Sequence, residues 1–329
     1  RPDQKVVALP WDMDFVFYHP TTNPVLPTDR KLHQVFQLPG YQRLYYGHLQ
    51  DLVNTTFNTT YMTYWMQHYS SLLPGQNFTT QLPYIQARSD YALTQLPAQV
   101  PFAITTSSGS NFSVDTTGVT LEGSGWINVR SLRWAEQNQP LTVTWTSDST
   151  WEVNIPLEPG ANLITLQAFD FQGNPLTSDS ITVTSTVAQR PLRQYLRVTE
   201  LMYAPLGESN YEFIEFCNTG PETLDLTSLY FSSGITFAFA GSGITTLPPG
   251  QYLVLAKNPA AFAARYNTGG LNLVGPYDGK FANEGETVRL KGQYDALVLE
   301  FEYQDSRGWP PAADGPGHSL VPLASAIPQ

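Results

Sequence analysis

Near Val100 the hydrophobic period of this chain changes from helical to strand-like, and no other sequence feature restricts the fold so strongly. Before that point apolar residues recur every three to four positions. Tyr41, Leu44, Tyr45, His48, Leu49 and Leu52 form one stripe. Tyr61, Met62, Trp65, Met66 and Tyr69 form a second after the capping signal Asn58-Thr59-Thr60, and Tyr84, Ile85, Arg88, Tyr91 and Ala92 a third with Pro83 in its first turn. Three short helices in a small bundle are expected. Beyond Val100 apolar and polar residues alternate in the runs 119–122, 126–129, 141–145, 151–155, 163–168 and 181–184. Ser147-Asp148-Ser149, Pro159-Gly160 and Gly173-Asn174-Pro175 separate them as turns. Short strands with one apolar face bury it by pairing two sheets, so a β-sandwich is expected.

A length of 329 residues exceeds one ordinary core. Three domains are expected, at 1–98, 99–190 and 191–329. The net charge of −11 is unevenly spread: residues 1–98 hold six acids against six bases, 99–190 eight against three, and 191–329 fourteen against eight. The neutral first part also carries 16 of the 42 aromatic residues, so it is expected to cover an aromatic face by packing on its neighbours or on another chain. Five lysines and acidic downstream domains supply no basic stripe, which argues against a nucleic-acid partner. No apolar run reaches the ~18 residues of a membrane span, and no signal peptide stands at the start. The sequons at Asn54, Asn58, Asn77 and Asn111 are read as chance products of an Asn- and Thr-rich chain. That composition, with few lysines and one cysteine, points to an extracellular or cell-surface setting.

Close to the start, the β-run Lys5–Leu9 leads into Pro10-Trp11-Asp12-Met13-Asp14-Phe15. In extended backbone Asp12 and Asp14 point to one face and are the candidate metal ligands; a turn that caps its own backbone N–H groups is the competing reading. The stretch Leu9–Phe15 resembles the Trp-Asp-x-Asp signature of the CotH-type atypical kinases of the spore coat, and the helical run ending Tyr84-Ile85-Gln86-Ala87-Arg88 resembles the closing segment of that domain. The resemblance covers about residues 1–98 and implies that the acidic motif binds magnesium. It places the family's nucleotide-binding lobe, lysine, glutamate and catalytic aspartate upstream, where only ten residues precede Trp11. The Asp pair is therefore read as vestigial, with no catalytic residue and no cofactor expected here, and Mg²⁺ held only if the upstream lobe is present.

In the second segment Pro159 to Asp170 with Gly173-Asn174 resembles bacterial extracellular immunoglobulin-like modules. In the third, Val198–Pro205, Glu212–Asn218, Leu224–Leu226, Leu247–Leu255, Asn283–Leu290 and Trp309-Pro310 through Asp314–Leu320 resemble, in that order, a bacterial lamin-tail domain. The resemblance implies an immunoglobulin-like sandwich that binds or scaffolds. The expected fold is thus mainly β with an N-terminal α-helical segment, two immunoglobulin-like β-sandwiches standing in tandem. Glu200, Glu212 and Glu215 invite a functional acid cluster, but strand-edge charges are favoured because Glu212 and Glu215 fall on opposite faces of a strand. Cys217 is read as a small strand residue, His33, His48 and His68 as packing or surface histidines, His318 as a loop residue, and Asp170 as one acid too few for calcium.

The function these residues predict is structural, adhesive or scaffolding, through a protein partner or self-association completed by the first domain. A metal-dependent CotH-type kinase whose catalytic lobe lies upstream is the first alternative. A carbohydrate-binding surface protein using exposed Trp and Tyr is the second.

Overall fold

The computed structural model describes residues 17–26, 28, 30–73, 75–187, 191–306 and 308–322. The Lys5–Leu9 run and the Asp12/Asp14 pair lie outside the described residues. The chain is mostly β-sheet, forming tandem β-sandwiches behind a short helical segment. It divides into two compact units: Leu121–Val153 and Leu163–Thr182 with the described residues up to Asn111, and Phe112–Thr120 and Asn154–Asn162 with those from Val183 onward.

Among the described residues four α-helices open the first unit: α1 (Arg30–Phe36), α2 (Pro39–Thr55), α3 (Thr59–Leu72) and α4 (Leu82–Thr94). Periodicity predicts the last three and misses α1. Asn58 caps α3 as its sequence signal suggests, accepting the Tyr61 N–H at 2.9 Å while its Nδ2 donates to Val53 O at 3.1 Å. Replacing Asn58 with alanine is expected to cost about 1 kcal/mol. A thermal melt read at the helical band checks this, and a melt that does not move would show the cap to be dispensable.

The buried helix faces differ from those expected. On α2 the buried positions are Arg43, Tyr46, Gly47 and Val53, whereas Tyr41, His48 and Leu52 of the expected stripe are exposed. On α3 only Met66 is buried, and Tyr61, Tyr64, Trp65, His68 and Tyr69 face solvent. Val25, Tyr46, Val53, Ala92 and Ile127 form a shared core. Ile127 lies in the 126–129 stretch that alternation predicts to be a strand; it is a turn, in which Ile127 and Val129 are buried while Trp126 is half-buried.

The middle sandwich comprises β1 (Ala103–Ile104), β2 (Phe112–Val114), β3 (Gly118–Ser124), β4 (Ser131–Trp134), β5 (Gln139–Pro140), β6 (Thr144–Trp145), β7 (Thr150–Pro156), β8 (Gly160–Phe169) and β9 (Pro175–Ser185). Its sheets run β1-β3-β7-β6 and β2-β9-β8-β4-β5. Of the run expected as one strand at 141–145, only Thr144-Trp145 is strand. Pro140 ends β5 in one sheet, and the chain resumes as β6 in the other. Inward residues alternate as the pleat requires, with Trp151, Val153 and Ile155 buried on β7 and Ile164, Leu166 and Ala168 on β8. Gly123 makes room for this core: a Cβ there would sit 2.0 Å from the Trp151 ring and 2.4 Å from Ala103 O.

The last sandwich follows α5 (Pro191–Tyr195) and contains β10 (Leu196–Met202), β11 (Phe213–Asn218), β12 (Leu224–Asp225), β13 (Tyr230–Ser233), β14 (Thr246–Leu247), β15 (Tyr252–Ala256), β16 (Asn272–Val274), β17 (Gly285–Lys291) and β18 (Leu297–Gln304). Sheets β10-β11-β15-β16 and β13-β17-β18 enclose a core that includes Leu201, Phe216, Phe231, Leu253 and Leu290, with the β12-β14 pair beside them. The link from β15 to β16 is parallel and carries α6 (Pro259–Arg265). Phe262 of α6 packs with Met202, Phe213 and Val254 on the outer face of the first sheet, so that sheet is buried on both sides.

Candidate functional site

The acids that sequence offers to chemistry are held by structural bonds. Glu212, immediately before β11, is buried, and its Oε2 accepts the Tyr277 O–H and the Phe281 N–H, both at 3.1 Å. Lys257 Nζ lies 3.9 Å from its Oε1. Burial pushes its pKa up, against the Phe281 N–H, Lys257 and Tyr277, which favour the ionised form. Glu215 is the cross-strand partner of Glu200, a register set by a bulge in β10 between Val198 and Glu200. Thr199 Oγ1 donates to Glu215 at 2.6 Å and the Ser319 hydroxyl to Glu200. Burial raises the Glu215 carboxyl, Thr199 opposes this, and the Glu200 charge adds to it. Glu212 and Glu215 engage different partners and form no pair.

Cys217 is buried, which raises its thiol above the ordinary range and makes it a poor nucleophile. Asp170 closes its own turn, accepting from the Gln172 and Asn174 N–H groups at 2.9 and 2.7 Å and from Asn174 Nδ2 at 3.1 Å. Burial raises its carboxyl, but these bonds together hold it below the usual carboxylate range. No three His, Cys, Asp or Glu side chains among the described residues converge on a metal position. His48 packs edge-on to Phe171 at 4.6 Å, and His68 stacks parallel to Tyr64. No described helix is long and apolar enough to cross a membrane.

Sequence reasoning missed Arg43. Its Nη2 donates to Trp126 O and Val129 O, both at 2.7 Å, and its guanidinium carbon lies 3.1 Å from the centre of the Trp145 ring. Burial pulls its pKa down to about 9, with Asp148 opposing and Arg130 adding to the effect. One turn later Gly47 allows the backbones to meet: a Cβ would stand 2.6 Å from Ile127 O. Gln172 Nε2 donates to both carboxylate oxygens of Asp51, one further turn along. One face of α2 is therefore a docking surface, already occupied by the middle sandwich.

The second unit has an open cleft of about 220 Å³ lined by residues that include Thr117, Arg193, Asp225, Gln293 and Leu297. It is smaller than the roughly 300 Å³ at which small-molecule sites begin.

Residues 190–305 match the family model described as Lamin Tail Domain. No curated protein matches the chain. Among solved structures, the fibronectin(III)-like modules of Clostridium thermocellum CbhA are 11% identical, covering 61% of this chain and 91% of that one, with a TM-score of 0.20. SGBP-B of the Bacteroides ovatus mixed-linkage glucan utilization locus, solved in complex with a mixed-linkage heptasaccharide, is 12% identical over 63% of this chain and 44% of its own, at 0.19. The Salmonella enterica SafA pilin in complex with the SafB chaperone gives 12% over 63% and 98%, at 0.18.

Proposed function

We propose that this chain is a non-catalytic scaffold of the cell surface or extracellular space, built as a helical module at 1–98 and immunoglobulin-like modules at 99–190 and 191–329. It acts by presenting surfaces to a protein partner. The observation that carries this reading is the fate of Glu212, the most buried acid of residues 190–305, whose carboxylate is occupied by Tyr277, Phe281 and Lys257. The lamin-tail match at 190–305 supports it from the side of family.

The Trp-Asp-x-Asp motif favours a second reading, the C-terminal part of a CotH-type kinase with Asp12 and Asp14 on magnesium. Titrating the full chain with Mg²⁺ and ATP separates the two. The scaffold reading expects no saturable heat. Saturable uptake that disappears on Asp12→Asn would overturn it. Carbohydrate is a further candidate partner, supported by the exposed aromatic residues of α3, and a glycan array tests it.

A further inference from the structure

Among the described residues, α3 carries one continuous uncovered aromatic stripe. Tyr61, Tyr64, Trp65, His68, Tyr69 and Leu72 fall at i, i+3, i+4, i+7, i+8 and i+11, the spacing of a helix-packing face, yet all six are exposed. Exposure is 42% at Tyr61, 66% at Tyr64, 36% at Trp65, 50% at Tyr69 and 60% at Leu72. The rings contact one another along the helix, with Trp65 stacked on Tyr69 at 6.0 Å and set edge-on to Tyr64 at 5.3 Å. A preassembled face of this kind loses little side-chain freedom when covered.

We propose that α3 packs antiparallel against α3 of a second copy across a two-fold axis near Met66 and Gln67. In naming a second copy as the partner this rests on the scaffold reading. Three observations select this occupant. The stripe reads the same from both ends, so antiparallel pairing sets Tyr61 against Leu72, Tyr64 against Tyr69 and Trp65 against His68, the self-complementarity a two-fold interface requires. The helix contains no Asp, Glu, Lys or Arg, whereas the chain carries −11 overall, so two copies meet here without the repulsion that their acidic downstream parts impose. The stripe also leaves roughly 600 Å² uncovered per copy, so pairing buries about 1,200 Å² in total, the lower end of specific interfaces.

Sedimentation velocity of the full chain from ~1 to ~100 µM, the range where an interface of this size associates, is expected to show a monomer–dimer equilibrium. Trp65→Glu should weaken it at least about 30-fold. A chain that stays monomeric throughout, a dimer indifferent to Trp65→Glu, or a monomer that instead retains a glycan through Trp65 overturns the proposal. Because Trp65→Glu itself can perturb the helix, His68→Cys, on the stripe and within two residues of the axis, gives an independent readout. Oxidation should link two copies of that variant through the introduced thiol, whereas the exposed control Thr177→Cys should not cross-link; equal cross-linking of both overturns the two-fold. Turnover of Mg-ATP by a dimer would sink the scaffold reading and leave this interface standing.

Discussion

Arg43→Ala lowers the stability of the first unit by about 3–5 kcal/mol, the largest single effect expected outside its apolar core. Three losses combine. The Val129 carbonyl, bonded to Nη2 at 2.7 Å, is left buried without a donor, the Trp126 carbonyl keeps only the Val129 N–H, and the face of Trp145 loses its cation. The guanidinium volume also becomes a void beneath α2. Arg43→Lys should recover part of this, because an ammonium can serve one carbonyl well but lacks a planar group to lie on the indole. Urea unfolding followed by tryptophan emission reads the change, since Trp126 and Trp145 flank the site. A loss below about 1 kcal/mol for the alanine variant would mean that helix and sandwich are held by the Tyr46–Ile127 contact region alone.

The same helix shows what sequence can and cannot carry. Hydrophobic periodicity locates α2, α3 and α4, and the ordered blocks of the last third fall on real strands: 196–202, 213–218, 252–256 and 285–291. Which face of α2 is buried was not legible. A period counts apolar residues, but this helix docks through a cation, a glycine and an acid, Arg43, Gly47 and Asp51. One local signal was present: Gly47 in mid-helix costs about 1 kcal/mol relative to alanine and so implies a close approach. For α3 the failure is opposite, because an aromatic stripe at helical spacing looks alike whether it meets its own core or is left open to solvent.

Strand alternation failed where burial came from another element. Ile127 and Val129 alternate with polar residues because α2 covers them, although the backbone is a turn. The Glu200–Glu215 opposition depends on a bulge that no residue type in β10 announces. Such features are set by long-range packing, and a window of a dozen residues holds no record of them.

Glu212 separates two physical readings of the lamin-tail segment. Burial raises its folded pKa above the unfolded value of 4.5, so between those two values the folded chain binds the extra proton. The stability it contributes is therefore full below pH 4.5 and is lost as pH rises through the folded value. Glu212→Ala should cost about 3 kcal/mol at pH 7, because the Tyr277 O–H and the Phe281 N–H both lose their acceptor in a dry core. Glu212→Gln keeps an oxygen for both donors and removes the charge, so it should stay within about 1 kcal/mol of the parent at pH 7 and abolish the fall in stability above pH 4.5. Lys257 loses its counter-charge in both variants, but at 3.9 Å and with side-chain exposure of 19% it can turn to water. Hydrogen exchange of residues 213–218, measured from pH 4.5 to 8, follows this unit in the intact chain. If the glutamine variant proves as damaging as alanine, the negative charge itself is required, and the Lys257 pair, not the acceptor geometry, holds this end of β11 in place.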